Sequence, residues 1–378
     1  MKRRSKKARA IKRREFVTGL GAGAVAAGVA GCAPQGGSVE CEGAGSGERL
    51  NWKMVTTWPA NLPGLGTSAT YLADKITKLS GGRLTVKVYA AGELVPAFEI
   101  FDAVSQGTAE LGHGAGYYWT GKSEAAQFFT AVPFGMNSAE MNGWLYYGGG
   151  LDLWREVYAP FNLVPFPAGN TSVQTGGWFN REINTVEDLR GLKMRIPGLG
   201  GKVLRRAGGL PVSLPGGEIF TALQTGSIDA TEWVGPANDL ALGFHKAARY
   251  YYNPGWHEPG PVLECMVNKD AFEALPDDLQ EIVATAAEAT NNQMPADYMA
   301  LNARALESLV NEHNVELRRF PSEVMDRLRE LSQEVIDELV ASDEMVARVY
   351  SSYSEFQERA AKWSAISDYA YYVARDSA

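Results

Sequence analysis

The order of strand and helix signals along this chain predicts an α/β fold, with many parallel strands and helices on both sheet faces. Three observations carry that expectation: short β-patterned runs alternate with amphipathic stretches, glycine and proline mark the joints, and one helical block occurs twice. Leu50 to Thr57 reads as the first strand. Thr67 to Leu79 reads as a helix with Leu72, Ile76 and Leu79 on one face, ended by Gly81-Gly82. Leu84, Val86 and Val88 then alternate with polar residues, as a half-buried strand requires. Pro96 stands where a helix can start and Gly107 where it can stop.

The repeated block is Glu99-Ile-Phe101-Asp-Ala-Val104-Ser-Gln-Gly107-Thr-Ala-Glu110, matched by Glu218-Ile-Phe220-Thr-Ala-Leu223-Gln-Thr-Gly226-Ser-Ile-Asp229. Each copy reads as a glycine-capped helix followed by a strand, and two lobes of similar topology explain the echo better than chance. An aromatic turn follows each copy, Gly116-Tyr117-Tyr118-Trp119 and Thr231-Glu232-Trp233. Ligands of parallel sheets sit beyond the carboxyl ends of strands, so both turns are expected to face one cleft. From Asp277 to Glu312 there is no glycine and only Pro295, with Ile282, Ala286 and Ala289 on an apolar face. A further helix is expected from Ser322 to about Leu339, and Trp363, Tyr369, Tyr371 and Tyr372 enrich the last segment in aromatics. These C-terminal helices either buttress the lobes or pack on a second copy of the chain.

The amino terminus reads as a secretion signal. Residues 1–14 are strongly basic, Phe16 to Gly31 are small or apolar, and Arg13-Arg14 precedes Glu15-Phe16-Val17, the twin-arginine (Tat) pattern. The apolar run is about 15 residues, short of the roughly 20 that span a bilayer, which argues against a membrane anchor. Val29-Ala30-Gly31-Cys32 resembles a bacterial lipobox, making Cys32 the candidate lipidated residue, and the glycine-rich run to Gly47 reads as a flexible tether. Residues 1–31 hold nine of the 36 Lys and Arg but one of the 44 Asp and Glu, leaving 27 basic and 43 acidic residues, a net of −16. Such a surface argues against nucleic acid, though one buried arginine can still hold an anion. Three cysteines form no disulfide framework. Cys41 and Cys265 are a conceivable pair, but Cys265 reads better as a small buried apolar residue.

Four islands concentrate polar groups among glycine, proline and aromatics: Asn170 to Gln174, Lys193 to Gly198 around Arg195, Ala230 to Pro236 around Glu232-Trp233, and Gly255-Trp256-His257-Glu258-Pro259-Gly260. That is the composition of loops lining a pocket. One arginine among several oxygen donors suits a small carboxylate held beside a hard cation.

Taken together, the leader, the two-lobe pattern and the order of the islands resemble the periplasmic solute-binding proteins of tripartite ATP-independent (TRAP) transporters, the DctP family. The likeness is most specific along Asn184-Thr-Val-Glu-Asp-Leu-Arg-Gly-Leu-Lys-Met-Arg195-Ile-Pro197. Gln174, Glu232-Trp233 and Trp256-His257-Glu258-Pro259 are similar to the branch that binds 2-oxo or 2-hydroxy monocarboxylates through a cation. The resemblance implies a two-lobed periplasmic binding protein of type II-like fold, with a hinged cleft, a long interlobe helix and extra C-terminal helices. It also implies dimers formed by exchanged C-terminal helices. The expected boundaries are 48–170 plus about 261–300 for lobe I, 171–260 plus about 301–340 for lobe II, and 341–378 for the extension.

On this resemblance Arg195 clamps the substrate carboxylate with its planar fork, and Asn170 and one tyrosine of Tyr117-Tyr118 add hydrogen bonds. Read as strand residues the two tyrosines face opposite ways, so only one is expected to reach the cleft. The expected cation ligands are the Gln174 side-chain oxygen, the Glu232 carboxylate, the Trp233 carbonyl and Glu258, with Glu264 as fallback; Gln174 and Trp233 also touch substrate. An all-oxygen set suits Na⁺ or Ca²⁺ rather than zinc, and His257 reads as structural. The expected ligand is pyruvate, lactate or a longer 2-oxo acid, delivered to membrane permease subunits. A dicarboxylate or sugar acid would need a second cationic clamp. A secreted metal-dependent keto-acid enzyme would need an acid, base or nucleophile beside the cation. The four histidines show no metal-ligand spacing, and H-E-x-x-H, G-x-S-x-G and C-x-x-C motifs are missing from the sequence.

Overall fold

The structure is a computed structural model that describes residues 49–377; the leader, Cys32, Cys41 and the tether lie outside those residues. The chain forms two lobes, each built on one mixed sheet flanked by helices.

In the first lobe β1 (Leu50–Thr56), α1 (Leu65–Leu79) and β2 (Leu84–Tyr89) form the opening βαβ unit. Gly81 and Gly82, with φ of 61° and 79°, supply the left-handed turn between α1 and β2. Next come α2 (Ile100–Ser105), entered from Pro96, and β3 (Leu111–Gly114), then α3 (Ser138–Tyr147), α4 (Gly150–Tyr158) and β4 (Leu163–Asn170). The chain crosses to the second lobe as β5 (Gly177–Phe179) and β6 (Lys193–Arg195), followed by α5 (Gly198–Arg206), β7 (Leu210–Val212), α6 (Gly216–Gln224) and β8 (Ala230–Thr231). After α7 (Pro236–Leu242) and β9 (Tyr250–Asn253) it returns to the first lobe as β10 (Val262–Asn268) and α8 (Lys269–Glu273). The remainder is α9 (Asp277–Asn311), β11 (Glu316–Arg319), α10 (Ser322–Ser342), α11 (Glu344–Ile366) and α12 (Asp368–Asp376).

The first sheet has the order β2-β1-β3-β10-β4 and the second β11-β9-β5-β8-β6-β7. Both are less parallel than expected: β10 runs antiparallel to β3 and β4, and β5 runs antiparallel to β8 and β9. The physical reason is the double crossing. β10 enters the first lobe where β4 leaves it, and β5 enters the second lobe where β9 leaves it, so each entering strand must oppose its exiting neighbour. The duplicated block appears as α2–β3 and α6–β8, with Gly107 and Gly226 in left-handed turns of φ 75° and 71°.

Helix α9 is 35 residues long and links the lobes. Asn291 Oδ1 accepts a hydrogen bond from the Gly169 backbone amide at the end of β4. Further along, Tyr298 donates to Asn238 Oδ1 and Asn302 Oδ1 accepts from the Ala237 amide, both on α7. The C-terminal helices exceed the sequence reading in number: α10 stops at Ser342, and α11 and α12 follow. Val346, Val349 and Tyr353 of α11 are buried, whereas Trp363, Ile366, Tyr369 and Tyr371 beyond them are exposed by more than half. Among the described residues no helix is long and apolar enough to cross a membrane.

Cys265 is buried and free. Glu264 beside it does not reach the cleft; its carboxylate accepts hydrogen bonds from Trp119 Nε1 and, at 2.7 Å, from the Tyr158 hydroxyl. Burial pushes this carboxyl up to about 7. The neutral form is therefore favoured on folding, so the stabilisation is complete below the ordinary value of 4.5 and is lost as pH rises to about 7. Replacing Glu264 by Gln is expected to remove up to about 3 kcal/mol of that pH-dependent loss, seen as a flatter melting temperature across this window. An unchanged pH profile would contradict the assignment.

Candidate functional site

The site lies where the carboxyl ends of parallel strands from the two lobes face each other. In the first lobe β1 ends into Trp58 and β3 into Tyr117-Tyr118; in the second, β6 ends at Arg195 and β8 runs into Glu232-Trp233. Arg195 pairs with Thr231 in the ladder, and the Glu232 amide donates to the Arg195 carbonyl, so backbone pairing alone makes Arg195 and Glu232 neighbours.

Two crossing segments complete the site. The Thr171 amide donates to the Pro261 carbonyl, the Gln174 amide to the Glu258 carbonyl, and the Gly255 amide to the Gln174 carbonyl. These rungs bring Gln174 beside Glu258 across a sequence separation that no local pattern reveals. Asn170 serves the same crossing. Its amide nitrogen donates to the Gly260 carbonyl at 3.0 Å and its oxygen accepts from the Ser172 amide at 2.8 Å. The side chain expected to touch substrate thus also ties the two crossing strands together.

Tyr117, Tyr118, Gln174 and Trp233 line one small cavity with Trp58, Leu65, Thr171, Val234 and Leu263. The prediction that only one tyrosine reaches it is wrong, because residues Gly116–Trp119 form a 3-10 turn rather than a strand. That curvature turns both rings inward, edge to face with centroids 4.7 Å apart. Opposite them, Gly198 at φ 58° lets α5 approach so closely that a Cβ would meet that of Tyr117 at 2.8 Å.

Arg195 is 1% exposed and its guanidinium pairs with the Glu232 carboxylate, itself fully buried. It also donates to the Leu214 carbonyl at 3.2 Å and the Tyr118 hydroxyl at 3.1 Å, and lies 4.8 Å from the centre of the Trp233 ring. Burial opposes the arginine charge, but Glu232 together with Tyr118, Tyr117 and Glu258 more than offsets it and keeps the guanidinium protonated. Burial, reinforced by the charge of Glu258, pushes the Tyr117 hydroxyl well above its ordinary value, so it remains a proton donor.

Ligand atoms of Glu232, His257 and Glu258 all lie within 4.8 Å of one another. Burial first, and then the charge of Glu232, push the Glu258 carboxyl well above the carboxylate range. Gln174 Oε1 and Glu258 Oε2 are buried with no hydrogen-bond partner, although Gln174 Nε2 is held by Thr171 Oγ1 at 3.0 Å. Two orphaned oxygens beside a second carboxylate form the donor set of a hard cation, whose charge would relieve both desolvation and repulsion. His257 sits closer to this chemistry than the sequence indicated: its Nε2 is 3.4 Å from Glu232 Oε2, where it can orient that carboxylate. Thr171 and Val234 fall within two of the pocket-lining islands, whereas the wall residues Trp58, Leu65 and Leu263 were missed; for Trp58 the strand-end rule applied to β1 was the available signal.

Two lobes closing over a buried arginine and convergent carboxyl oxygens define an extracytoplasmic solute receptor. A family comparison makes it specific: the bacterial extracellular solute-binding protein family 7 (DctP) matches residues 54–343, and the chain belongs to that family. It is 44% identical over 322 residues to the monocarboxylate 2-oxoacid-binding periplasmic protein of Nostoc sp. (strain PCC 7120), covering 85% of this chain and 88% of that one. Among solved structures, a TRAP periplasmic solute-binding protein from Pseudoalteromonas atlantica T6c, with bound sodium and pyruvate, superposes with a TM-score of 0.84. It is 43% identical, with 86% of this chain and 98% of that chain covered. A TRAP transporter solute-binding protein from Bordetella bronchiseptica RB50, a mixed-occupancy dimer with copurified calcium and picolinate, gives a TM-score of 0.86 at 39% identity, covering 88% and 98%.

Proposed function

We propose that this protein is the extracytoplasmic binding subunit of a TRAP transporter, capturing a small 2-oxo or 2-hydroxy monocarboxylate with Na⁺ or Ca²⁺ and delivering it to membrane permease subunits. The observation that carries this reading is the buried Arg195–Glu232 pair, with Glu258 close to Glu232 and oxygens of Glu258 and Gln174 unpartnered. A carboxylate on the fork and a cation on the oxygens satisfy every one of these groups at once, which neither achieves alone.

Glu232 couples the two events. In the structure it holds Arg195, and the cavity has only about 10 Å³ of free space, so a substrate carboxylate must displace it. Gln174, Glu232, Glu258 and the Trp233 carbonyl would hold the ion, which supplies charge neutralisation and a Lewis-acid contact to the substrate head. Once Glu232 leaves the guanidinium, Arg195 would be free for the carboxylate, Tyr117 and Tyr118 would donate to its oxygens, and Trp233 would wall the site.

The proposed lobes are 48–170 with about 261–300, and 171–260 with about 301–340, and substrate shifts their open–closed equilibrium by bridging them. An interlobe ion pair between Lys202 Nζ and Glu124 Oε1, at 2.9 Å, supports such closure. The exposed Trp363, Ile366 and Tyr369 of the extension from 341 support a homodimer covering that face. Export by the Tat route, with Cys32 as lipid anchor, remains part of the same reading from the leader.

The test is calorimetric titration with pyruvate, lactate and longer 2-oxo acids, each with Na⁺ and with Ca²⁺. Cation-dependent binding with the acid recovered unchanged is expected; turnover of the acid, or binding indifferent to both ions, would defeat the reading.

A further inference from the structure

A second chamber adjoins the carboxylate site at the mouth of the cleft. It has a volume of about 530 Å³ and apolar walls from both lobes, including Leu94, Val95 and Phe98 on one side and Pro215 on the other. Three rings separate it from the site. Trp58 lies between Thr57 and Pro59, which line the chamber, and is fixed by its Nε1 donating to His113 Nδ1 at 2.7 Å. Tyr118 is held by Arg195 and packs on Phe98 with centroids 4.7 Å apart. Trp233 is different: its Nε1 is buried without a hydrogen-bond partner. Its ring rests on Gly216 of the chamber wall, where a Cβ would lie 2.6 Å from it, and meets Trp58 edge to face at 6.3 Å. Its one directional tie is to the Arg195 guanidinium, the group that a substrate carboxylate would engage.

We propose that this chamber receives the aliphatic tail of 2-oxo acids longer than pyruvate, with the Trp233 indole as the leaf that moves aside; the inference rests on the 2-oxo acid reading above. The head cavity is too small for a tail, whereas the neighbouring chamber is of ligand size and has an apolar wall. Its walls come from both lobes, so a tail lying there adds apolar contact to the closed form. Thr57 Oγ1, buried among the lining and unpartnered, is the one hydroxyl placed to meet a polar tail substituent.

The experiment titrates the full chain at saturating Ca²⁺ with pyruvate, 2-oxobutanoate, 2-oxohexanoate and 2-oxooctanoate. Affinity is expected to rise by up to about fourfold per added methylene, the factor for burying one such group. In Gly217→Leu the new side chain enters open space at the chamber wall. There 2-oxohexanoate is expected to weaken at least about tenfold, the loss of two or more buried methylenes, while pyruvate affinity holds. Leu94→Asp tests the same chamber from the other lobe, at a position 40% exposed and so tolerant of change. Wild-type affinity that falls with chain length overturns the proposal. So does a chain-length profile that both variants leave intact, or an equal loss for pyruvate. If pyruvate itself fails to bind, the 2-oxo acid reading falls and this inference with it; pyruvate binding with longer acids excluded removes this inference alone.

Discussion

Arg195→Ala is expected to lower the affinity for a 2-oxo acid by about a hundred- to several thousand-fold, the equivalent of about 3 to 5 kcal/mol for breaking a buried ion pair. Two groups lose their partner together. The substrate carboxylate loses its fork, and Glu232, fully buried, loses the cation that holds it in the ligand-free protein. The variant is therefore also expected to melt at lower temperature without ligand, and added Ca²⁺ should restore part of that loss by neutralising Glu232. Arg195→Lys separates charge from geometry. An ammonium keeps the charge but not the planar fork, nor all the contacts to Leu214 and Tyr118, and should recover only part of the affinity. Titration heats close to wild type for Arg195→Ala would show that the carboxylate sits elsewhere.

The second large effect belongs to Glu232. In the wild type, chelating Ca²⁺ in a buffer whose Na⁺ is replaced by a bulky organic cation is expected to cost about a hundredfold or more in acid affinity, because Glu232 then competes for Arg195. Glu232→Gln should behave differently in kind. It weakens cation binding by at least about ten- to a hundredfold, the range seen for changes around metal sites. Yet it also withdraws the internal competitor, so the residual acid affinity becomes nearly independent of the cation. Acid titrations with Na⁺ or Ca²⁺ present and with both withheld, for both proteins, read this directly. A variant whose acid affinity still depends on the ion as steeply as the wild type would remove Glu232 from the coupling.

The site was legible in the sequence where chemistry is local. Arg195 sits between Met194 and Ile196, and Glu232 next to Trp233; a charged residue so embedded either is buried or breaks its strand. The duplicated α2–β3 and α6–β8 blocks pointed both aromatic turns at one cleft, and Tyr118 and Arg195 do meet there. The failures came where a backbone's path was assumed. Tyr117 and Tyr118 were assigned alternating faces because a strand was presumed, and a 3-10 turn does not alternate. Asn170 was assigned to substrate because its residue type fits a pocket; the structure adds that it also joins Gly260 and Ser172 across the crossing, which its residue type does not reveal. His257 was read as structural because a neutral imidazole adds little to a hard-cation site; its contact with Glu232, 25 residues away, leaves no local signal.

By itself the sequence determined the α/β class, the two related lobes, a long helical stretch after Asp277 and the residue types of a carboxylate-and-cation site. These follow from periodicity, glycine and proline punctuation, and charges set among apolar residues, all of which act over a few positions. Only the tertiary structure decided which polar groups are free and which are spent. The pairing of Arg195 with Glu232, the orphaned oxygens of Gln174 and Glu258, and the unpartnered Trp233 Nε1 arise where the crossing segments and strand ends of two lobes converge. A buried polar atom is satisfied or left open by whatever distant backbone the fold brings against it, and linear spacing carries no record of that.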